Sequence, residues 1–316
     1  MQPYQPFKSR LPDSITKRLR LPLIAAPMFR VSGPDLVSAA CKAGIIGCFP
    51  TINARSTDEL ESWLLRFSTD AAASGHSLAP WSANVVMRDP RAGEHLECLQ
   101  RFPPEIAIAS VGSPRAMVDA LAGKGTLVFA DVATMKHARR AIEDKADGLV
   151  LLSAGAGGNT GHLNPFAFVR AVRAFWDGPL ILAGGLIDGV SLKAMQLLGC
   201  DLGYSGTRMI AATESMASDE YRAMLSASTM DDIMLTRAFT GLDTNMLSPS
   251  IQAAGIDPAD LSAVPTQEQA RQIYSGTHAP KRWKDIWSAG HTVSGIGSNQ
   301  TVEEIVEDIY REFMSV

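Results

Sequence analysis

The chain has 316 residues, 46% of them hydrophobic, and sets 29 lysine and arginine residues against 33 aspartate and glutamate residues for a formal net charge of -4. That length supplies a sizeable core and suits either one large α/β barrel with an appendage or two ordinary domains. The near-balanced charge, with no Lys/Arg cluster, argues against a nucleic-acid partner. The longest apolar runs, such as Leu21 to Phe29, fall far short of the roughly 20 residues that cross a bilayer.

The amino terminus, MQPYQPFKSRLPDSITKRLR, alternates charge with proline and lacks the apolar core of a secretory signal. A cytoplasmic protein with no membrane partner is the expectation. Cys41, Cys48, Cys98 and Cys200 are scattered, without a CxxC pair or zinc-ligand spacing, so buried reduced thiols and no metal are expected.

From residue 21 onward, short apolar runs alternate with segments of helical period, the pattern of βαβ units and a parallel sheet. Strand-like runs stand at 23–28, 45–50, 81–87, 106–112, 126–132, 148–154, 180–185 and 202–208. Helix candidates between them include 33–43, 57–67, 135–144, 166–175 and 190–198. The runs are apolar on both faces, as strands covered by helices are. Eight units predict a (β/α)8 TIM barrel over residues 1–228, with a doubly wound sheet as the competing topology. Polar and glycine residues gather at the carboxyl ends of these runs, where such a barrel builds its active face.

The alternation stops near residue 228. Residues 229–300 are predicted to form a smaller, mainly helical appendage or lid, including DDIMLTRAFTGLDTNML, a polar helix near 266–274 and HAPKRWKDIWSAGH. Thr240 to Asn245, Trp283 and Trp287 are candidates to overhang the barrel mouth, although tryptophans at that spacing are more often packing residues. The segment 301–316 places apolar residues at 302, 305, 306, 309 and 310 behind a threonine and an acidic first turn. It should close back on the barrel as an amphipathic helix.

The densest signal is SAGAGGNTGH, residues 153–162. A dinucleotide fingerprint GxGxxG would need glycine where Thr160 stands and would open the first βα unit. The loop follows the sixth strand instead, and its tight bounds, a strand before and a helix start after, argue against a flexible spacer. A phosphate site is better sought after strands seven and eight. There Ala183-Gly184-Gly185 exposes backbone amides without a Cβ obstruction, and Ser205-Gly206-Thr207-Arg208 adds amides, a hydroxyl and a guanidinium. Tight βα turns would use the same glycines, but two such loops in adjacent units point to a phosphorylated cofactor or substrate.

The order AAPM at strand one, Asn84 at strand three, GAGGNTGH, LAGGLIDG and SGTR resembles the flavin-dependent nitronate monooxygenases, formerly called 2-nitropropane dioxygenases, over about residues 20–300. The resemblance implies a TIM barrel with non-covalent FMN, a smaller second domain, and oxidation of alkyl nitronates by O2 to carbonyl compounds and nitrite. It implies Ala26, Pro27 and Met28 along the flavin ring and an amide from Asn84 to the flavin or ribityl chain. Gly157 and Gly158 are expected against the cofactor, and Ala183, Gly184, Gly185, Ser205, Gly206 and Thr207 around its phosphate. Asp131 falls near the position where relatives place a lysine facing the flavin.

Family members carry a histidine after Ala-Gly-Gly, whereas here Ala156-Gly157-Gly158 precedes Asn159 and the imidazole comes at His162. Either His162 turns into the site as the catalytic base, or Asn159 is a neutral donor and only preformed nitronates are used. His162 could equally be a surface residue ahead of Asn164-Pro165, which reads as a helix N-cap with proline at the first helical position. His291 is a second candidate, equally readable as a turn, and His76, His95, His137 and His278 are expected to be solvated. Two other functions stay open: an NAD(P)H-dependent FMN reductase of the enoyl-reductase or quinone-reductase kind, and a barrel lyase or isomerase gripping a sugar phosphate. A homodimer is compatible with all three.

Overall fold

The computed structural model describes residues 8–261, 285–297 and 300–316. The helix expected near 266–274, Trp283 and His278 lie outside them. All eight expected strand runs are strands: β1 (Leu23–Ala25), β2 (Ile46–Pro50), β3 (Trp81–Val86), β4 (Ile106–Ser110), β5 (Leu127–Val132), β6 (Gly148–Leu152), β8 (Leu180–Ala183) and β9 (Leu202–Ser205). They form a closed parallel barrel in that order, and β9 returns to β1 in the register Leu23↔Gly203 to Ala25↔Ser205.

The two-faced apolarity of the strands has a direct structural use. Ile106, Ile108, Phe129, Val150, Ile181 and Leu202 fill the barrel interior, joined by Leu11 and Ile15 from the amino-terminal turn. Ala107 and Ala109, on the opposite face of β4, pack under the helices with Leu60, Leu64, Leu96 and Leu99. Fully buried residues such as Phe129 each contribute about 2–3 kcal/mol of hydrophobic stabilisation. The four cysteines are free and buried.

Local signals fix where helices start. Asn164 accepts from Ala167 N ahead of Pro165 in the helix Pro165–Arg173, as the Asn-Pro pair predicts. Asp188 makes a capping box with Ser191 at the helix Gly189–Leu198, and Thr301 makes one with Glu304 at Val302–Ser315. Each box satisfies otherwise orphaned amides at a helix start. The last helix buries Val302, Ile305, Val306 and Ile309 against the helices Pro34–Ala43 and Gly189–Leu198. Among the described residues no helix is long and apolar enough to cross a membrane.

The described part of the appendage adds a small sheet to the expected helical turns. The loop after β6 contributes a two-residue strand, β7 (Gly158–Asn159), and the segment beyond the barrel contributes β10 (Ile233–Thr236) and β11 (Thr244–Leu247). These make an antiparallel sheet ordered β10-β11-β7, with pairs Ile233↔Leu247 to Thr236↔Thr244 and Thr244↔Asn159. The described helical part here is the short helix Ser248–Ala253 with single turns of 3-10 helix.

Candidate active site

A cavity of about 870 Å3 opens at the carboxyl ends of the barrel strands. Ala26, Pro27 and Met28 line it from beyond β1, Asn84 from β3 and Asp131 from β5. Short-range bonds hold the strand-one end in place. The Ser32 hydroxyl donates to Ala26 O (3.0 Å) and accepts from Met28 N (3.0 Å), and Asn53 Nδ2 donates to Met28 O (3.0 Å). Asn84 is fixed at both ends of its amide: Nδ2 donates to Ile108 O (3.3 Å), and Oδ1 accepts from Ser110 Oγ (3.2 Å). Behind it, the Thr51 hydroxyl lies 3.2 Å from Asn84 O and 2.9 Å from His95 Nδ1. His95 is therefore not solvated as expected but buried, and burial pushes its pKa down.

Ala183, Gly184, Gly185, Gly206 and Thr207 line one corner of the cavity. Gly184 and Gly185 have φ of 109° and 79°, in the region that only glycine enters freely. A Cβ on Gly184 would stand 2.7 Å from Ser153 Oγ, whereas one on Gly185 would meet nothing within 4 Å. The Gly185 backbone thus faces open cavity where any other residue would place a side chain. The Thr207 hydroxyl accepts from Gly290 N at 2.9 Å, which leaves its own O–H to donate. Two expectations need correction here. Ser205 is buried with its hydroxyl on Leu186 O (3.5 Å) and does not line the cavity. The Arg208 guanidinium turns away to Ile187 O (2.7 Å) and Asp308 (3.5 Å), so the corner is lined by glycine backbone and the Thr207 hydroxyl rather than a guanidinium.

Gly157, Gly158 and Asn159 form the facing wall, with Thr240 and Leu242 of the appendage and Trp287. The wall is held by the appendage sheet. Asn245 Nδ2 donates to Ala156 O (2.7 Å), Thr160 N to Asp243 O (2.9 Å) and Thr244 Oγ1 to Asn159 Oδ1 (3.3 Å). A Cβ on Gly157 would sit 2.7 Å from Gly290 N, so glycine permits the close backbone approach there. Trp287 stacks on Tyr221 at 5.0 Å and 15°, combining packing with a place on the wall.

His162 is exposed and does not line the cavity. It lies near Asp243, whose carboxyl is held below the usual range chiefly by the hydrogen-bonded Arg237 guanidinium, His162 being a smaller influence. Of the two sequence alternatives, Asn159 is the one on the wall. His291 is also exposed; its N donates to Gly155 O (2.9 Å), and its neighbour Thr292 reaches the cavity.

Sequence reasoning passed over Tyr204 and Val111, both of which line the cavity. Tyr204 sits inside a strand run and gave no separate signal. Val111 has φ of 50°, an outlier for a β-branched residue and a form of strain that gathers at functional sites; nothing in local sequence announces it. Asp131 and Tyr204 also stand apart electrostatically. Burial alone pushes the Asp131 carboxyl up to about 7, and burial raises the Tyr204 hydroxyl well above its usual value. Among the described residues no cluster of groups suits a metal ion.

A family model for nitronate monooxygenase matches residues 84–312. A nitronate monooxygenase of Paraburkholderia phytofirmans is 26% identical over 287 residues, covering 75% of this chain and 76% of that protein. A (3aS,4S,5R,7aS)-5-hydroxy-7a-methyl-1-oxo-octahydro-1H-indene-4-carboxyl-CoA dehydrogenase of Rhodococcus jostii is 24% identical over 230 residues, 73% of this chain. The match spans 63% of that dehydrogenase and 62% of its Mycobacterium tuberculosis counterpart. Among solved structures, FabK from Thermotoga maritima superposes with a TM-score of 0.80 at 22% identity, covering 98% of this chain and 96% of its own. A nitroalkane oxidase from Streptomyces ansochromogenes gives 0.77 at 22% identity over 96% and 99%. Barrel, glycine corner and family match agree: the chain belongs to the nitronate monooxygenase family.

Proposed function

We propose that the protein is an FMN-dependent nitronate monooxygenase, oxidising alkyl nitronates with O2 to carbonyl compounds and nitrite. The family is flavin-dependent; the choice of FMN rests on the corner at Gly184, Gly185, Gly206 and Thr207. There a side chain at 185 would fill space that the backbone leaves open, and glycine backbone with a donating hydroxyl suits a phosphate group. Bound in this cavity, FMN supplies the redox chemistry with oxygen.

The protein's own part is placement. Ala26, Pro27 and Met28 offer an apolar edge along the ring, and Asn84, fixed by Ile108 and Ser110, presents a rigid amide. Asn159 supplies the donor for a nitronate oxygen: Thr244 engages its Oδ1, leaving the NH2 group to meet negative charge. An amide does not abstract a carbon-bound proton at neutral pH. Asn159 on the wall in place of an imidazole is the observation that carries the finer reading, a preference for the preformed nitronate over the neutral nitroalkane.

The test is oxygen uptake by FMN-loaded protein with propyl nitronate, with nitropropane, and with NADH or NADPH. Uptake with the nitronate well above that with nitropropane supports the proposal. Rapid anaerobic bleaching of the flavin by NADH or NADPH, with no nitronate turnover, replaces it with the flavin-reductase reading. Colourless protein that takes up no FMN replaces it with a barrel acting on a phosphorylated substrate.

A further inference from the structure

Four buried polar side-chain atoms among the described residues have no hydrogen-bond partner: Ser82 Oγ, Asp131 Oδ1, Tyr204 OH and Trp176 Nε1. The first three belong to barrel strands β3, β5 and β9, and two of them, on Asp131 and Tyr204, are in residues that line the cavity. An enclosed polar atom without a partner loses its hydration and gains nothing in return, and native proteins keep few of them. Two on one cavity surface, on side chains with little else to bind, mark a place where a ligand completes the bonding. The barrel interior beneath them is apolar, with Ile108, Phe129, Val150 and Leu202, while the two residues keep partial exposure toward the cavity.

The chemistry of the pair narrows the ligand. The titratable groups that face Asp131 across the barrel are Tyr204 of β9 and Cys48 of β2. Burial raises both, so both are neutral at ordinary pH. Among the described residues no lysine or arginine forms an ion pair with Asp131, and burial is the one influence on its carboxyl. An uncompensated carboxyl in such a place keeps its proton and becomes a donor. Tyrosine brings a second O–H. A floor of two O–H donors, flanked by the fixed Asn84 amide, suits the acceptor atoms of a heteroaromatic ring.

We propose that Asp131 and Tyr204 form a hydrogen-donating floor for the flavin ring, Asp131 acting in its protonated form, so that ring affinity falls as this carboxyl ionises. The inference rests on reading the cavity as a flavin site and deepens it. With the carboxyl titrating at about 7, its neutral fraction drops roughly 90-fold between pH 6 and pH 9, and the apparent dissociation constant rises by the same factor if only that form binds.

The experiment is FMN titration of the flavin-free protein, followed by flavin fluorescence at pH 6 and pH 9, for wild type, Asp131→Asn and Tyr204→Phe. Asp131→Asn keeps the shape and an N–H donor but does not titrate. Ionisation of FMN itself is common to all three proteins and cancels in the ratio of their affinities. A wild-type loss exceeding the Asp131→Asn loss by tenfold or more supports the floor, and a smaller difference overturns it. Infrared spectra of the flavin-free protein give an independent reading: a protonated-carboxyl band present at pH 6, gone at pH 9 and missing from Asp131→Asn is expected. No such band overturns the proposal even where the variant folds poorly. Absence of FMN binding by wild type at pH 6 is a different result, since it removes the flavin site itself.

Discussion

The glycine corner yields the sharpest prediction because its two glycines are constrained differently. At Gly185 the backbone is left-handed, but a Cβ has space around it. Asparagine and aspartate there have nearly the same shape, so strain and crowding cancel when Gly185→Asn is compared with Gly185→Asp, and the charge remains. A carboxylate about 5 Å from a phosphate, at an effective dielectric near 20, is opposed by about 3 kcal/mol per unit charge. At 1.4 kcal/mol per tenfold, Gly185→Asp should bind FMN at least about 100-fold more weakly than Gly185→Asn, with the gap narrowing in high salt. The assay is fluorescence titration at pH 8 and low ionic strength. Equal affinities for the two variants would refute the placement of the phosphate in this corner. Gly184→Ala is the structural control: its Cβ would press on Ser153 Oγ and Ala154 O, so it should lower the melting temperature of the flavin-free protein, which Gly185→Asn changes far less.

Three further outcomes concern the wall, the exposed histidine beside it and the floor. Asn159→Ala should lower kcat/KM for a nitronate about tenfold, the worth of one hydrogen bond to a charged group. His162→Ala, exposed and off the cavity, should stay within twofold; steady-state oxygen uptake checks both, and a reversed order would return the histidine to the site. For Asp131 the sign runs against the usual carboxylate. Its folded pKa, about 7, lies above the 3.8 of an ordinary aspartate, so the folded state holds the proton more tightly than the unfolded one. Its contribution to stability is complete below pH 3.8 and is lost as pH rises through 7. Asp131→Asn should therefore gain a few kcal/mol relative to wild type between pH 5 and pH 8 in urea unfolding of the flavin-free protein. A constant difference across that range would show that the carboxyl is not held neutral.

The barrel was legible because its strands are short, apolar on both faces and regularly spaced, and because caps such as Asn164-Pro165 and Thr301 with Glu304 act locally. The glycine corner was legible for a similar reason: where strands end is a local matter, and glycine at a turn is visible in a single sequence. Three features were not legible, and each depends on contacts distant in sequence. β7 has two residues and exists by pairing with β11, some 85 positions away. His95 looks like a helix-surface histidine until Thr51 is brought to it across the fold. Arg208 follows directly on the glycine loop after β9, and only the packed carboxyl-terminal helix, through Asp308, shows why it points elsewhere.

The strand pairing of β7 with β11 has a consequence for anyone reshaping this catalyst. One wall of the pocket is woven from two distant stretches of chain, residues 153–162 and 233–247, cross-stitched by Asn245 on the Ala156 carbonyl and Thr160 on that of Asp243. Grafting a relative's glycine loop alone would leave the ribbon beneath it without its matching edge. The two stretches are one exchangeable module, and chimeras that transfer them together should keep the pocket's outline where single-loop swaps lose it.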